Sequence, residues 1–179
     1  MHKDWSSRHE LQSDCNSENE WDFIQICLHA KHDREECPSK EFDAFASSIY
    51  SGEIKNLFDQ TKKTQLLTNN DDNTFVMIDF KDKKINLTKY YLSVPSSYSG
   101  NRPKSWEIQG SNNNEEWEVL DKKQNCFNLS SDESYNTFTC QNVNKQYYRY
   151  IRIANITNKD NNHSLVLSEI ELYGSVITK

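Results

Sequence analysis

Two stretches of the chain gather side chains suited to holding a polar ligand. In Pro95-Ser96-Ser97-Tyr98-Ser99-Gly100-Asn101-Arg102 an aromatic ring (Tyr98), an amide (Asn101) and a guanidinium (Arg102) follow closely on one another. A ring offers a flat apolar face, an amide both donates and accepts, and a guanidinium is a rigid fork of donors, which together suit an array of sugar hydroxyls or a peptide carboxylate. The second stretch, 155–164, carries Asn158, Asn161, Asn162 and His163. Tyr98, Asn101, Arg102, Asn161, Asn162 and His163 are therefore the candidate ligand-binding residues, against the plainer alternative that both stretches are solvated polar loops.

Other chemically able residues have structural explanations. Asp79 and Arg152 lie in separate strand-like runs, and a structural ion pair between them is expected. Glu169 and Glu171 are two apart, so they share one face of a strand; an exposed strand face explains them better than acid–base work. Lys62-Lys63-Thr64-Gln65-Leu66-Leu67 sets an apolar pair beside two cations, the composition of a membrane-inserting spike, but burial of the leucines in a core is the stronger reading. Catalysis has little to draw on: His163 is the sole histidine after residue 32, and no G-x-S-x-G, P-loop or H-E-x-x-H motif occurs. The expectation is a chain that is not an enzyme.

The elements that would position the loops are legible. From about residue 41, short runs alternate with clusters of Asn, Asp, Ser and Gly; the clearest are 74–80, 85–94, 104–111, 116–121, 135–140, 147–154 and 165–173. Trp106 and Ile108 face one way while Ser105, Glu107 and Gln109 face the other, and Ile151 and Ile153 alternate with Tyr150 and Arg152. Strands with one buried face read this way, and such runs without intervening helices predict an all-β antiparallel sandwich or jelly roll. Trp106, Ile108, Trp117, Ile151, Ile153 and Ile170 are its expected core. Ser111-Asn112-Asn113-Asn114-Glu115 reads as a hairpin loop, because asparagine tolerates left-handed backbone.

Residues 1–40 differ. Trp21, Ile24 and Leu28 recur at helical spacing; Ser17 and Glu20 form a capping box, and Pro38 ends the run. This predicts an N-terminal helical segment, 1–40, preceding a sandwich over 41–179, and one helix of that length makes no domain by itself.

Composition narrows the partners. The chain has 179 residues with a net charge of −6 and a mean hydropathy of −0.93, which gives no general attraction to nucleic acid or anionic lipid. No apolar stretch of signal-peptide or membrane-spanning kind occurs, so the expected location is intracellular, in the cytoplasm. The five cysteines are odd in number and match no zinc or redox spacing. Four N-x-[ST] sequons begin at Asn86, Asn128, Asn155 and Asn162, a number that chance explains in so asparagine-rich a chain.

Pro103-Lys104-Ser105-Trp106-Glu107-Ile108-Gln109-Gly110-Ser111-Asn112, continuing to Glu116-Trp117-Glu118-Val119-Leu120-Asp121, resembles the signature of discoidin, or coagulation factor V/VIII type C, domains. Residues 148–153 and 165–174 are similar to that family's last core strands, and 54–59 and 75–80 to its opening blocks, so the resemblance spans about residues 47 to 174. It implies an eight-stranded, galactose-binding-like jelly roll whose loops at one end bind a glycan, a phospholipid head group or a protein. The reading adopted is a non-catalytic module for a glycan or protein partner within an intracellular adaptor, with phospholipid docking as the alternative. Many members carry an Asp-Gly-Asp-x-Thr stretch associated with structural calcium. Here Asp59 is followed by Gln60, Thr61, Lys62 and Lys63, and two lysines oppose a dication, so Asp59 is a weak calcium candidate and no cofactor is expected. The terminal cystine of secreted members is absent, which favours the intracellular branch.

Overall fold

The computed structural model describes residues 25–26, 42–58, 64–95, 100–130, 134–141 and 146–178. Every strand pairing among them is antiparallel. One sheet has five strands in the order β2 (Asp43–Ala46), β5 (Phe75–Asp79), β10 (Tyr150–Asn158), β7 (Pro103–Ser111) and β8 (Glu118–Lys123). The facing sheet is ordered β1 (Gln25–Ile26), β12 (Glu169–Thr178), β6 (Lys83–Ser93) and β9 (Tyr135–Thr139). A small third sheet joins β3 (Ser51–Gly52), β4 (Leu66–Leu67) and β11 (Val166–Leu167). Leaving β1 aside, the two large sheets contribute eight strands, the expected sandwich.

Alternation along each strand supplies the core between the sheets. Val76, Ile78, Trp106, Ile108, Leu120, Ile151 and Ile153 from the first sheet meet Ile85, Leu87, Tyr90, Leu92, Phe138, Ile170 and Leu172 from the second. The Trp106 indole packs edge-on against the Phe138 ring, centroids 5.2 Å apart, and its Nε1–H donates to the Tyr90 hydroxyl at 3.0 Å. Tyr90 in turn donates to Asp121 Oδ2 at 2.6 Å, and Lys123 Nζ completes the chain at 2.7 Å from that carboxylate. Burial, reinforced by the Asp121 charge, holds the Tyr90 hydroxyl far above its usual pKa. It therefore stays protonated and bridges the two sheets. Leu66 and Leu67 are buried, so the apolar pair belongs to the interior.

Three expectations need correction. Of the N-terminal helical segment, only Gln25 and Ile26 are described, and they form a strand against Tyr173 and Leu172 rather than helix; the exposed backbone edge of β12 offers partners that local periodicity does not register. The rest of that segment lies outside the described residues. Trp117 is half-buried and not core: it lies on the outer face, where the Arg152 guanidinium sits 3.8 Å from its ring centroid. Arg152 does not pair with Asp79. Its register partner is Met77 and its Nε donates to Gln109 Oε1 at 2.7 Å, whereas Asp79 accepts from Nε and Nη2 of Arg149, at 2.7 and 2.8 Å. Burial alone would raise the Asp79 pKa, but that bidentate pair and the Lys81 N–H hold it below the usual carboxylate value.

The loop at 112–117 is built by asparagine as expected. Asn114 has φ 62°, Asn113 Oδ1 accepts from the N–H of Glu115 and Glu116, and Asn112 bridges to Tyr147 O and Arg149 N. Glycine is required at close approaches between strands. A Cβ on Gly174 would lie 2.0 Å from Asn86 O, beside the bulge in the β12–β6 ladder, and one on Gly110 would lie 2.6 Å from the Tyr148 ring.

Candidate functional site

Antiparallel connectivity sends the end of β2, the start of β5 and the β6–β7, β8–β9 and β10–β11 connections to the same end of the sandwich. The Asp79–Arg149 pair lies at the other end, with the β5–β6 and β7–β8 turns. Loops at the first end lock together through the β10–β11 turn. Asn158 is wholly buried, and its Nδ2 donates to Asn101 Oδ1 at 3.1 Å and Ser164 O at 2.9 Å. Its Oδ1 accepts from the N–H of Asp160 and Asn162. Asn162 Nδ2 also donates to Asn101 Oδ1, at 3.0 Å. The left-handed backbone of Asn101 and Asn161, φ 54° and 58°, is one that asparagine tolerates, and it lets the two turns fold onto this hub.

The candidate residues thus fall into distinct roles. Asn101 and Asn162 are engaged in holding loop to loop. Arg102, expected to present its guanidinium to a ligand, is only 1% exposed. It ties three connections together, with Nη1 donating to Ser130 O at 2.8 Å and its own carbonyl accepting from Lys159 N at 2.8 Å. Asn161 is exposed, and its Oδ1 lies 3.3 Å from Lys104 Nζ. His163 Nδ1 is 2.8 Å from the Ile156 carbonyl. A carbonyl only accepts, so Nδ1 donates this bond, and Nε2 lies 3.9 Å from the exposed Asp72 carboxylate. The His163 N–H donates to Asn70 Oδ1 at 2.9 Å, joining this turn to the loop before β5. Tyr98 and Asp59 lie outside the described residues.

Sequence reasoning missed Phe127, Lys104 and Lys159. Phe127 is 67% exposed on the β8–β9 connection. There its carbonyl accepts from Ser130 N and Oγ, and Leu129 anchors the turn in the core. The one available signal was a lone aromatic in a polar run, Asn125-Cys126-Phe127-Asn128. With Arg102, Pro103, Lys104, Cys126, Ser130 and Lys159 it lines a depression of about 60 Å³. The Cys126 thiol there donates to Asn128 Oδ1 at 3.2 Å, an amide and not a base. Among the described residues no group of three His, Cys, Asp or Glu side chains is placed to hold a metal ion.

Residues 43–170 match the F5/8 type C domain family. The chain belongs to that family. F5/8 type C character agrees with solved structures that share the fold at low identity. The module CpGH89CBM32-5 of Clostridium perfringens, solved with GalNAc-β-1,3-galactose, has TM-score 0.61 and 10% identity over 75% of this chain and 96% of that one. The family 32 module of Clostridium perfringens NanJ, solved with galactose, has TM-score 0.59 and 14% identity over 74% and 93%. The serum f-lectin of striped bass, Morone saxatilis, has TM-score 0.58 and 16% identity over 78% of this chain and 47% of its own. No curated protein sequence matches this F5/8 type C chain.

Proposed function

We propose that this F5/8 type C domain is a non-catalytic recognition module that binds a glycan with the loop end of its sandwich. The observation that carries the proposal is the asparagine hub. Asn158, Asn162 and Asn101 hold several loops rigidly at one end, and around them stand an imidazole, a carboxylate, an amide and an exposed ring (His163, Asp72, Asn161 and Phe127). Sugars are recognised by this combination: hydroxyls need fixed donors and acceptors, the ring face needs an aromatic, and rigid loops reduce the entropy lost on binding. Glycan complexes among the solved structures of the same fold support the reading. A glycan array probed with the full chain tests it, beside Phe127→Ala and His163→Ala, which change exposed groups and leave the hub intact. A specific signal reduced in either variant is expected; a folded chain that gives a blank array refutes glycan recognition.

A reducing, intracellular setting is part of the proposal. It is supported by Cys126 and Cys140, both free thiols. An N-linked glycan found by mass spectrometry at Asn128, the exposed sequon beside Phe127, would overturn that setting.

A further inference from the structure

We infer that the outer face of the five-stranded sheet docks a protein segment whose carboxylate pairs with Arg152. The inference does not rest on the glycan reading, since this face lies along the strands and not at their loop end. Register sets Phe45, Met77, Arg152, Gln109 and Val119 side by side across β2, β5, β10, β7 and β8. Directly opposed residues project to one face, and the row ends in two exposed apolar side chains, Phe45 at 47% and Val119 at 38%. In its middle the Arg152 guanidinium is held between rings. Trp117 lies 3.8 Å away on the β8 side and Phe75 5.5 Å away on the β5 side, measured to the centroids.

Charge accounting on this face leaves Arg152 over. Asp79 pairs with Arg149 at 2.7 Å, Asp43 with Lys81 at 2.9 Å, and Glu107 Oε1 with Lys122 at 2.8 Å. The second Glu107 oxygen accepts from Gln109 Nε2 at 2.7 Å, and Gln109 Oε1 accepts from Arg152 Nε. Among the described residues that is the sole hydrogen bond of Arg152, so Nη1 and Nη2 are left with donors to offer. Burial lowers the Arg152 pKa, yet a guanidinium stays charged at any physiological pH. Stacking between rings has already fixed the side chain, so a carboxylate that meets the fork loses little affinity to ordering it. The surroundings select a protein as the source of that carboxylate. Arginine, aromatic residues and methionine are the types that protein interfaces concentrate, and a broad sheet face suits another chain better than a small molecule, which needs a cleft. The matching segment carries Asp or Glu flanked by apolar side chains that reach Phe45, Met77 and Val119.

The test selects a displayed library of random short peptides on the full chain, then measures the recovered peptides, made synthetically, by fluorescence polarisation. Recovered peptides should carry Asp or Glu beside apolar residues, and changing that acid to its amide should weaken binding at least about tenfold, as the loss of a charge-assisted pair requires. This comparison uses the native protein and so does not depend on any variant folding. Arg152→Met, which keeps an apolar chain between the rings, should erase the preference for acid over amide while circular dichroism stays native. Arg152→Lys keeps the charge without the planar fork and should recover only part of the affinity; Phe45→Ser should weaken acid and amide peptides alike. An empty selection, peptides without an acid, or acid and amide bound equally overturns the inference and leaves glycan recognition standing. A blank glycan array, conversely, bears on the loop end alone. Self-association of the native chain in sedimentation velocity, lost in Arg152→Met, replaces the partner with a second copy. Arg152-dependent binding of a uronate oligosaccharide with no peptide recovered replaces it with an acidic glycan.

Discussion

Tyr90→Phe removes a single oxygen from the centre of the fold, and its effect can be worked out from the geometry. The hydroxyl accepts from Trp106 Nε1 at 3.0 Å and donates to Asp121 Oδ2 at 2.6 Å. All three side chains are at most 1% exposed, so water cannot substitute for the lost partner. The indole N–H is left as an unpaired buried donor, at a cost of about 1–3 kcal/mol, and the carboxylate loses a charge-assisted bond of about 1.5–3 kcal/mol. Part of the second loss is recovered because Lys123 still neutralises Asp121. The expected destabilisation is roughly 3 kcal/mol, which for a chain of this length lowers Tm by roughly 6–12 °C. Urea denaturation followed by tryptophan fluorescence measures it, with an unchanged m-value showing that the native state is otherwise the same. Asp121→Leu alone should cost more than Tyr90→Phe, because it leaves Lys123 without its partner and Tyr90 without an acceptor. A Tyr90→Phe change under about 0.5 kcal/mol would refute the claim that this hydroxyl couples the sheets.

Other consequences are more quickly stated. Trp106→Ala should cost about 3–5 kcal/mol as a core cavity and Trp117→Ala only about 1–2 kcal/mol, since the latter loses an outer-face stack with Arg152; equal costs in denaturant titrations would put Trp117 back in the core. Gly174→Ala must displace the Asn86 carbonyl that would lie 2.0 Å from its Cβ, and a loss of about 1–3 kcal/mol should appear as a fall in Tm; unchanged Tm contradicts the close approach. The Asp79 pKa is lowered below its ordinary 3.8, so the folded state binds its proton less readily than the unfolded chain. Its stabilisation is present above pH 3.8 and is lost as pH falls through the folded value. Arg149→Met should flatten that acid limb of stability, which acid titration by circular dichroism would show. Burial, with the Asp121 charge, pushes the Cys140 thiol up to about 12; peptide mapping after alkylation at neutral pH should find Cys140 unmodified until denaturant is added.

Local pattern made the sandwich legible because half-buried strands write their burial into the sequence as period-two alternation. Expected runs at 74–80, 85–94, 104–111 and 135–140 meet the observed Phe75–Asp79, Lys83–Ser93, Pro103–Ser111 and Tyr135–Thr139 within a residue or two at each end. Trp117 misled because it adjoins a strand rather than lying within one: it precedes Glu118, where β8 begins, so the alternation of its neighbours does not say which way it points. The Arg152–Asp79 expectation paired the right strands with the wrong residue. Register sets Arg152 against Met77, and register follows from where the turns close.

The binding end was legible by composition and not by role. Clusters of Asn, Ser and Gly between strands mark loops, because those residues tolerate turn backbone and satisfy it with their own side chains. Which of those side chains face a ligand depends on contacts between residues far apart in the chain. Asn101 meets Asn162 across 61 positions and Arg102 meets Ser130 across 28, which turns three promising polar residues into scaffolding. The same convergence gives Lys104, Phe127 and Lys159 a common wall. The sequence by itself therefore determined the strands, the turns and the family, since each is encoded by neighbouring residues within one element. Only the tertiary structure decided which loop residues are scaffold and which line the depression, because burial and partner are properties of segments brought together by the fold.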